Sequence, residues 1–174
     1  SKGFRPASIY LEEASVTGTE TAILAASAAP GTTEIRHAAC EPHVSEMCGF
    51  LRTLGIEITG DGTPTVRITG GGSVGGGEHR LRGDYIEAGS WAVIAAVTGG
   101  EVEIFGAEET DLEPIVSVLN LMNVACNVEG DRLVLNQSVP SAIRQITTGP
   151  WPGFPSDMVS LISVLATQAG GRTL

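Results

Sequence analysis

The stretch "AILAASAAPGTTEI" at residues 22–35 decides the fold, because its pattern recurs twice further along the chain. It begins as a helix of small apolar residues and changes after one glycine to a β-branched strand. "WAVIAAVTGGEVEI" at 91–104 has the same pattern, and "LISVLATQAGGRTL" at 161–174 starts it again. Recurrence at a fixed spacing indicates that the chain is built from repeated structural units.

The glycines within these stretches give the length of the unit. Gly31 and Gly100 are 69 positions apart, and Gly100 and Gly170 are 70 positions apart. Each lies where the first helix should end, so each is predicted to be a left-handed helix cap.

A second helix is predicted in each repeat, because apolar residues recur there at helical spacing. They are Val44, Met47, Cys48, Leu51 and Leu54 in the first repeat and Leu112, Ile115, Val116, Leu119 and Met122 in the second. Gly55 and Asn123 follow as predicted left-handed caps, since glycine and asparagine best tolerate that geometry. Two short strands joined by a turn then close each repeat.

The predicted fold class is therefore α/β (α+β), with repeated β-α-β-α-β-β units of about 70 residues. Residues 1–70 are expected to form one unit and 84–140 the next, separated by a flexible glycine-rich connector at 71–83. The second unit is expected to have its first strand from about Glu78. Residues 141–174 should start a third unit with a strand at "AIRQITT", and we expect a longer parent protein.

Composition excludes several function classes. The formal net charge of −10 argues against a nucleic-acid partner, and no apolar run is long enough to cross a bilayer. The three cysteines form no CxxC pattern, so free thiols in a cytoplasmic protein are expected. The histidines lack metal-ligand spacing, apart from the weak pair of Cys40 and His43, and we expect neither a metal nor a cofactor.

Three stretches resemble signature motifs of the enolpyruvyl transferase family. They are "ASVTGTETAILAASAAPGTTEIRHAACEP" at 14–42, "DYIEAGSWAVIAAVTGG" at 84–100 and "PWPGFPSDM" at 150–158. The resemblance runs through nearly the whole chain, and "SVTGTE" and "PGFPSDM" are its specific parts.

The resemblance implies a two-lobed enzyme with three units in each lobe, helices packed inside and sheets outside. Its implied reaction transfers the enolpyruvyl group of phosphoenolpyruvate to the 3-hydroxyl of UDP-N-acetylglucosamine, the first committed step of peptidoglycan synthesis. This chain would be the middle of such an enzyme: the last unit of one lobe and the first one and a half of the other. The family's reactive cysteine loop and its phosphoenolpyruvate-binding lysines and arginines have no match here, so we expect the 174 residues alone to be inactive.

Asp157 is the candidate catalytic residue, because it matches the Asp of the family's Phe-Pro-Thr-Asp-Met motif. The resemblance implies that this carboxylate takes the proton of the attacking sugar hydroxyl. A positioned carboxylate can act as a general base, and the prolines before it would fix its position. The alternative is a first-turn acid that complements the helix dipole, with Ser156 as the N-cap.

The remaining candidates are substrate-binding residues implied by the resemblance. Ser15, Val16 and Thr17 would bind the diphosphate of the UDP-sugar at a helix N-terminus, or Ser15 or Thr17 would be an ordinary N-cap. Glu41 matches a family acid near the active site, and Asp84 matches one at the junction between lobes. A plain first-turn role for Glu41 is an equal alternative.

Four positions depart from the family pattern: Cys40, His43, Tyr85 and Val159. They leave two other functions open, namely a relative with a different hydroxyl acceptor and a non-catalytic binding or assembly module that kept the fold. Self-association through a truncated unit is a further possibility. The RNA 3′-phosphate cyclases share the unit architecture, but the acidic charge argues against that function.

Overall fold

A computed structural model describes residues 3–174, which divide into two compact units with the boundary between Leu81 and Arg82. Each unit has its own sheet, helices and apolar core. In this part of the chain, none of the helices combines the length and the apolar content that crossing a membrane requires.

The first unit has the predicted order β-α-β-α-β-β. Its elements are β1 (Ser8–Tyr10), α1 (Val16–Ser27), β2 (Gly31–Arg36), α2 (Pro42–Thr53), β3 (Glu57–Thr59) and β4 (Thr65–Gly70). The sheet order is β1-β2-β4-β3, in which β1 and β2 are parallel and the other pairs antiparallel. A parallel pair needs a crossover connection, and α1 provides it.

The two faces of this sheet have opposite character. Ile35 of β2 and Ile68 of β4 are fully buried under the helices. Glu34 and Arg67, on the same two strands, point to the other face and form an ion pair of 2.8 Å. The alternation follows the two-residue period of a strand with one solvated face. Helices cover one face of the sheet, as the predicted arrangement of inner helices and outer sheets requires.

The second unit has five helices and strands before a one-turn 3₁₀ helix and its last helix. They are α3 (Tyr85–Thr98), β5 (Val102–Phe105), α4 (Glu109–Leu121), β6 (Cys126–Glu129) and β7 (Arg132–Leu135), followed by a one-turn 3₁₀ helix (Ser156–Met158) and α5 (Val159–Gln168). The strands form an antiparallel sheet in the order β5-β7-β6. The core packs α3 against α4 and α5, with Leu112, Leu119 and Leu165 fully buried.

The expected first strand of the second unit is absent from the described residues. From Glu78 to Gly83 the chain is irregular and exposed. Gly83 donates its N–H to the carbonyl of Gly106, the residue after β5, at 2.8 Å. The segment has one apolar residue, Leu81, and glycines before it, so it has no alternating face to bury. The prediction of a strand from about Glu78 was wrong.

The strand predicted at "AIRQITT" is likewise reduced to isolated pairings. Ser141 forms a parallel bridge with Gly170, and Ile146 donates to the Leu174 carbonyl at 2.8 Å. These contacts join the segments before and after α5 in parallel, as β1 and β2 are joined across α1. The third unit therefore starts with the predicted connection but without a continuous strand.

The predicted caps are confirmed in part. Gly55 and Asn123 have left-handed backbones, with φ of 95° and 61°. At the end of α3 the left-handed cap is Gly99, with φ of 66°, rather than Gly100. The ends of α1 and α5 are capped by Ala28 and Ala169 without left-handed geometry. The predictions for Gly31 and Gly170 as helix caps were wrong.

Candidate functional site

Asp157 lies on the 3₁₀ turn before α5, and its side chain is exposed. The residues around it are not: Phe154 is 5 % exposed and Met158 is fully buried. Met158 donates its N–H to the Pro155 carbonyl at 3.1 Å and closes the turn. Within residues 3–174, no hydrogen bond or ion pair reaches the Asp157 carboxylate. The fold thus presents a solvated carboxylate on a turn fixed by two buried side chains.

The proline-rich segment before this turn is held by hydrogen bonds between its own backbone groups. Gly149 donates its N–H to the Phe154 carbonyl at 3.1 Å, and Gly153 donates to the Pro150 carbonyl at 2.7 Å. Trp151 adds an edge-to-face contact with Tyr85 at the start of α3, with ring centroids 5.4 Å apart. These contacts reduce the freedom of the segment, which is the condition for holding a catalytic group in one geometry.

Ser156 is not the N-cap of this helix, although the sequence offered that role as an alternative. Pro155 takes the N-cap position of the 3₁₀ turn and Met158 that of α5, and neither has a side-chain capping bond. Asp157 still lies just before the first turn of α5, where a negative charge is favourable.

Asp84 is the N-cap of α3. Its Oδ1 accepts hydrogen bonds from the N–H groups of Ile86 and Glu87, at 2.8 and 3.4 Å. The carboxylate therefore satisfies helix donors that would otherwise lack partners. Any contact with substrate would have to use Oδ2.

Asp84 and Asp157 are linked through the packing of their helices. Gly89 of α3 lies directly against Met158: a Cβ added there would be 2.8 Å from the Met158 Cε. The Tyr85–Trp151 contact joins the same two regions. The second unit thus holds the N-termini of α3 and α5 in one packed arrangement.

The Ser15–Thr17 turn forms the N-terminus of α1. Ser15 is the N-cap, and its Oγ accepts from the Gly18 N–H at 3.1 Å. The Thr17 hydroxyl lies 3.5 Å from the Ser15 hydroxyl and is exposed. The first turn of α1 contains no acidic residue. Because the first amides of a helix have no intrahelical acceptor, this end of α1 can receive an anion.

Glu41 precedes Pro42 at the N-terminus of α2 and does not cap the helix with its side chain. Its Oε2 is buried and has no hydrogen-bond partner among the described residues. Such an oxygen costs free energy unless a donor reaches it. The neighbouring Cys40 thiol has a raised pKa, through burial first and the Glu41 charge second. Cys40 is therefore a poor nucleophile.

Thr19 connects the Ser15 turn to the segment that leads to Glu41. Its side chain is fully buried, and its Oγ1 accepts from the Ala39 N–H at 2.9 Å. Sequence analysis did not identify this residue, although a threonine on the inner face of an otherwise apolar helix is a recognisable signal. Its contact fixes the N-termini of α1 and α2 relative to each other.

Every predicted site residue therefore lies at a helix N-terminus. Ser15, Val16, Thr17 and Glu41 belong to the first unit, whereas Asp84 and Asp157 belong to the second. Among residues 3–174, no group of three or more His, Cys, Asp or Glu side chains could hold a metal ion. The chemistry available is anion binding at helix ends and proton transfer by a carboxylate.

Comparison with known proteins identifies the relatives of this chain. The model of the family described as EPSP synthase (3-phosphoshikimate 1-carboxyvinyltransferase) matches residues 2–173. The UDP-N-acetylglucosamine 1-carboxyvinyltransferase of Treponema denticola is 41 % identical over 174 residues, which cover 95 % of this chain and 41 % of the relative. The protein of the same name from Bradyrhizobium diazoefficiens is 39 % identical, covering 97 % of this chain and 41 % of the relative.

Solved structures show the same fold. The enolpyruvyl transferase NikO from Streptomyces tendae superposes with a TM-score of 0.80 at 24 % identity, covering 98 % of this chain and 44 % of that chain. EPSP synthase from Acinetobacter baumannii gives 0.58 at 19 % identity, covering 95 % of this chain and 38 % of that chain. The chain thus spans about two fifths of the length of the curated relatives it matches.

Proposed function

Because the chain belongs to the EPSP synthase family, we propose that it is part of an enzyme that transfers the enolpyruvyl group of phosphoenolpyruvate to the 3-hydroxyl of UDP-N-acetylglucosamine. The relatives named UDP-N-acetylglucosamine 1-carboxyvinyltransferase support this acceptor. The whole protein would act in peptidoglycan synthesis, and the free cysteines support a reducing location such as the cytoplasm.

Asp157 is the proposed general base. It would take the proton of the 3-hydroxyl as that oxygen bonds to phosphoenolpyruvate, and phosphate would leave as the product. The observation that carries this role is an exposed carboxylate on a turn anchored by the buried Phe154 and Met158. Such a turn limits the motion of the carboxylate, so reaction does not have to wait for an ordering step.

The other candidates would bind substrate. The start of α1 at Ser15, Val16 and Thr17 would bind the diphosphate, because the first turn combines free amides with the absence of a competing acid. Glu41 would accept a hydrogen bond from a donor outside the described residues, which its buried and unpaired Oε2 supports. Asp84 would contribute through Oδ2 while Oδ1 caps α3.

Substitution of Asp157 in the full-length parent enzyme tests the proposed chemistry. We expect Asp157→Asn to lower kcat by about 10²–10⁴-fold, the usual contribution of general base catalysis, with little change in KM for phosphoenolpyruvate. Release of inorganic phosphate is the measurement, and Glu109→Gln, which removes another exposed carboxylate of the second unit, is the matched control. An unchanged kcat for Asp157→Asn would refute the role.

The 174 residues alone are proposed to give only background phosphate release in the same assay. They include none of the lysines, arginines and reactive cysteine that the family resemblance assigns to phosphoenolpyruvate. Clear turnover by this chain would contradict that division of the active site.

A different acceptor is the second candidate function, and Tyr85 favours it. The resemblance assigns an arginine to this position, but Tyr85 is buried and its ring packs on Trp151. Thermal-shift titration of the full-length parent with UDP-N-acetylglucosamine, UMP and shikimate 3-phosphate separates the candidates. Stabilisation by UDP-N-acetylglucosamine well beyond that by UMP supports the leading proposal, whereas equal stabilisation by both indicates another sugar.

A further inference from the structure

A groove of about 840 Å³ lies in the first unit between α2 and the connector that follows β4. Met47 and Phe50 of α2 and Leu81 of the connector supply its apolar surface. Phe50 is 39 % exposed and Leu81 is 76 % exposed. The groove has the volume of a small-molecule site and contains none of the residues assigned to the proposed reaction.

The connector wall of this groove is held in place, although a flexible linker was expected. Gly75 donates its N–H to the Leu54 carbonyl at 2.9 Å. Gly77 packs so closely on Thr53 that an added Cβ would be 2.5 Å from the Thr53 Oγ1. Only glycine fits this approach, so the connector has a defined path along the end of α2.

His79 continues this docking at the groove itself. Its Nε2 lies 3.5 Å from the Glu46 Oε1, and its ring meets Phe50 edge-on with centroids 6.0 Å apart. Both partners belong to α2. The contacts place the wall beside an aromatic ring and a carboxylate, so the groove is a built feature of the first unit.

The groove has acidic and aromatic character. Its carboxylates are Glu78 and Glu46, of which Glu46 already lies beside His79. Its lining, which lies wholly within the described residues, also includes His43 but no lysine or arginine. An aromatic face with nearby carboxylates attracts organic cations, through the ring quadrupole and through Coulomb attraction. A neutral or anionic ligand would gain neither interaction.

We propose that this groove binds a small organic monocation, in which an ammonium group is attached to an aromatic or branched apolar body. The ammonium lies between the Glu78 carboxylate and the ring of Phe50, and the apolar body covers Met47 and Leu81. Because the connector forms one wall, an occupied groove ties the connector more firmly to α2. This inference does not depend on the proposed function.

A titration followed by NMR tests the proposal with three probes of matched shape. The probes are 2-phenylethylammonium, the neutral 2-phenylethanol and the anionic 3-phenylpropanoate. We expect the ammonium compound to shift the amide signals of Phe50 and His79 and to bind at least about fivefold more tightly than the alcohol. The carboxylate compound should give no shifts at these residues.

Variants of the 174-residue chain assign the site. Glu78→Gln should weaken binding of the ammonium probe by about threefold, the scale of one partly exposed ion pair. Phe50→Ala should weaken it by roughly tenfold, through lost ring contact and cation–π attraction. Glu57→Gln, which removes an exposed carboxylate of β3 outside the groove, is the matched control and should leave the affinity unchanged.

Equal binding of the ammonium and the alcohol would overturn the charge requirement. An absence of shifts at the groove for all three probes, or shifts confined to other residues, would overturn the site. Glu78→Gln is a surface substitution on an exposed segment, so it remains decisive if Phe50→Ala does not fold. An affinity unchanged by Glu78→Gln would contradict the proposed position of the ammonium.

Discussion

Gly89 shows how one residue without a side chain sets the position of the candidate base. It lies within α3, where glycine is normally unfavourable, and faces the Met158 side chain and Ile115. A Cβ at this position would be 2.8 Å from the Met158 Cε and 2.9 Å from the Ile115 Cδ1. Met158 directly follows Asp157, so this close packing determines how near the 3₁₀ turn lies to α3.

Gly89→Ala is therefore expected to lower the free energy of unfolding by about 1–2 kcal/mol, since overpacking outweighs the gain in helix propensity. The matched control is Gly49→Ala in α2, where the added Cβ would be 3.6 Å from the His79 Cε1 and meets no other close atom. That variant should be more stable by roughly 0.5–1 kcal/mol. Urea denaturation measures both, and a stabilised Gly89→Ala would contradict the packing described.

Single residues differ in how much of their role the sequence alone can predict. A motif could point to Asp157 as a candidate, because specific residues surround it in a fixed order from Phe154 to Met158. No local pattern could show that the Thr19 hydroxyl accepts from Ala39, since the two are 20 positions apart and meet only after folding. The burial of the Glu41 Oε2 could not be predicted from the sequence either, because it depends on the surrounding fold.

The candidate site residues all lie at helix N-termini. The N-terminus of α3, which Asp84 caps, is the one with the best-defined side-chain hydrogen bonds. Asp84→Ala should lower the free energy of unfolding by about 1 kcal/mol, because two N–H groups lose their acceptor. Asp84→Asn should lose less, since asparagine caps almost as well and gives up only the favourable charge at the helix N-terminus. Thermal and urea unfolding of both variants provide the measurement. Equal losses in the two variants would show that charge, rather than capping, dominates at this position.

Helices and strands with a clear local pattern were predicted correctly. Prediction failed for strands whose formation depends on pairing with a distant segment. All six elements of the first unit were predicted, because the period of apolar residues changes clearly from helix to strand. The first strand of the second unit and the continuous strand at "AIRQITT" were predicted by analogy with that unit. The first lacks an alternating face, and the second makes only isolated pairings. An internal repeat thus predicts which segments lie beside each other better than it predicts which of them form continuous hydrogen-bonded strands.

At the scale of the whole molecule, the buried thiols give folding a characteristic dependence on alkaline pH. Burial raises the pKa of Cys48 from 9.0 to about 11 and that of Cys126 from 9.0 to about 12. Well below pH 9 these thiols are protonated in both states and have no effect on the pH dependence. Above pH 9 the unfolded chain releases their protons first, so stability falls as pH rises towards the folded-state values.

The expected loss between pH 9 and pH 11 is on the order of 2 kcal/mol for each thiol. Urea unfolding at a series of pH values measures it, and the double variant Cys48→Ala and Cys126→Ala is the comparison. That variant should be less stable at pH 8, because it contains cavities, but its stability should decline less steeply above pH 9. A decline as steep as in the original chain would assign the effect to other groups.

Gly31 and Gly171 lie where the chain returns beside an earlier segment in parallel, and both control how close the two segments come. Gly31 has φ of 120° and would bring an added Cβ within 2.8 Å of the Pro6 ring, and Gly171 has φ of 124° and would meet the Ala142 side chain at the same distance. Among residues 3–174, β5 has no such parallel neighbour, and a Cβ added at Gly100 would come no nearer than 3.5 Å to any residue other than its chain neighbours. A side chain at Gly31 or Gly171 would therefore hold the returning segment away from the segment beside it, so each glycine limits how closely two distant parts of the chain can approach.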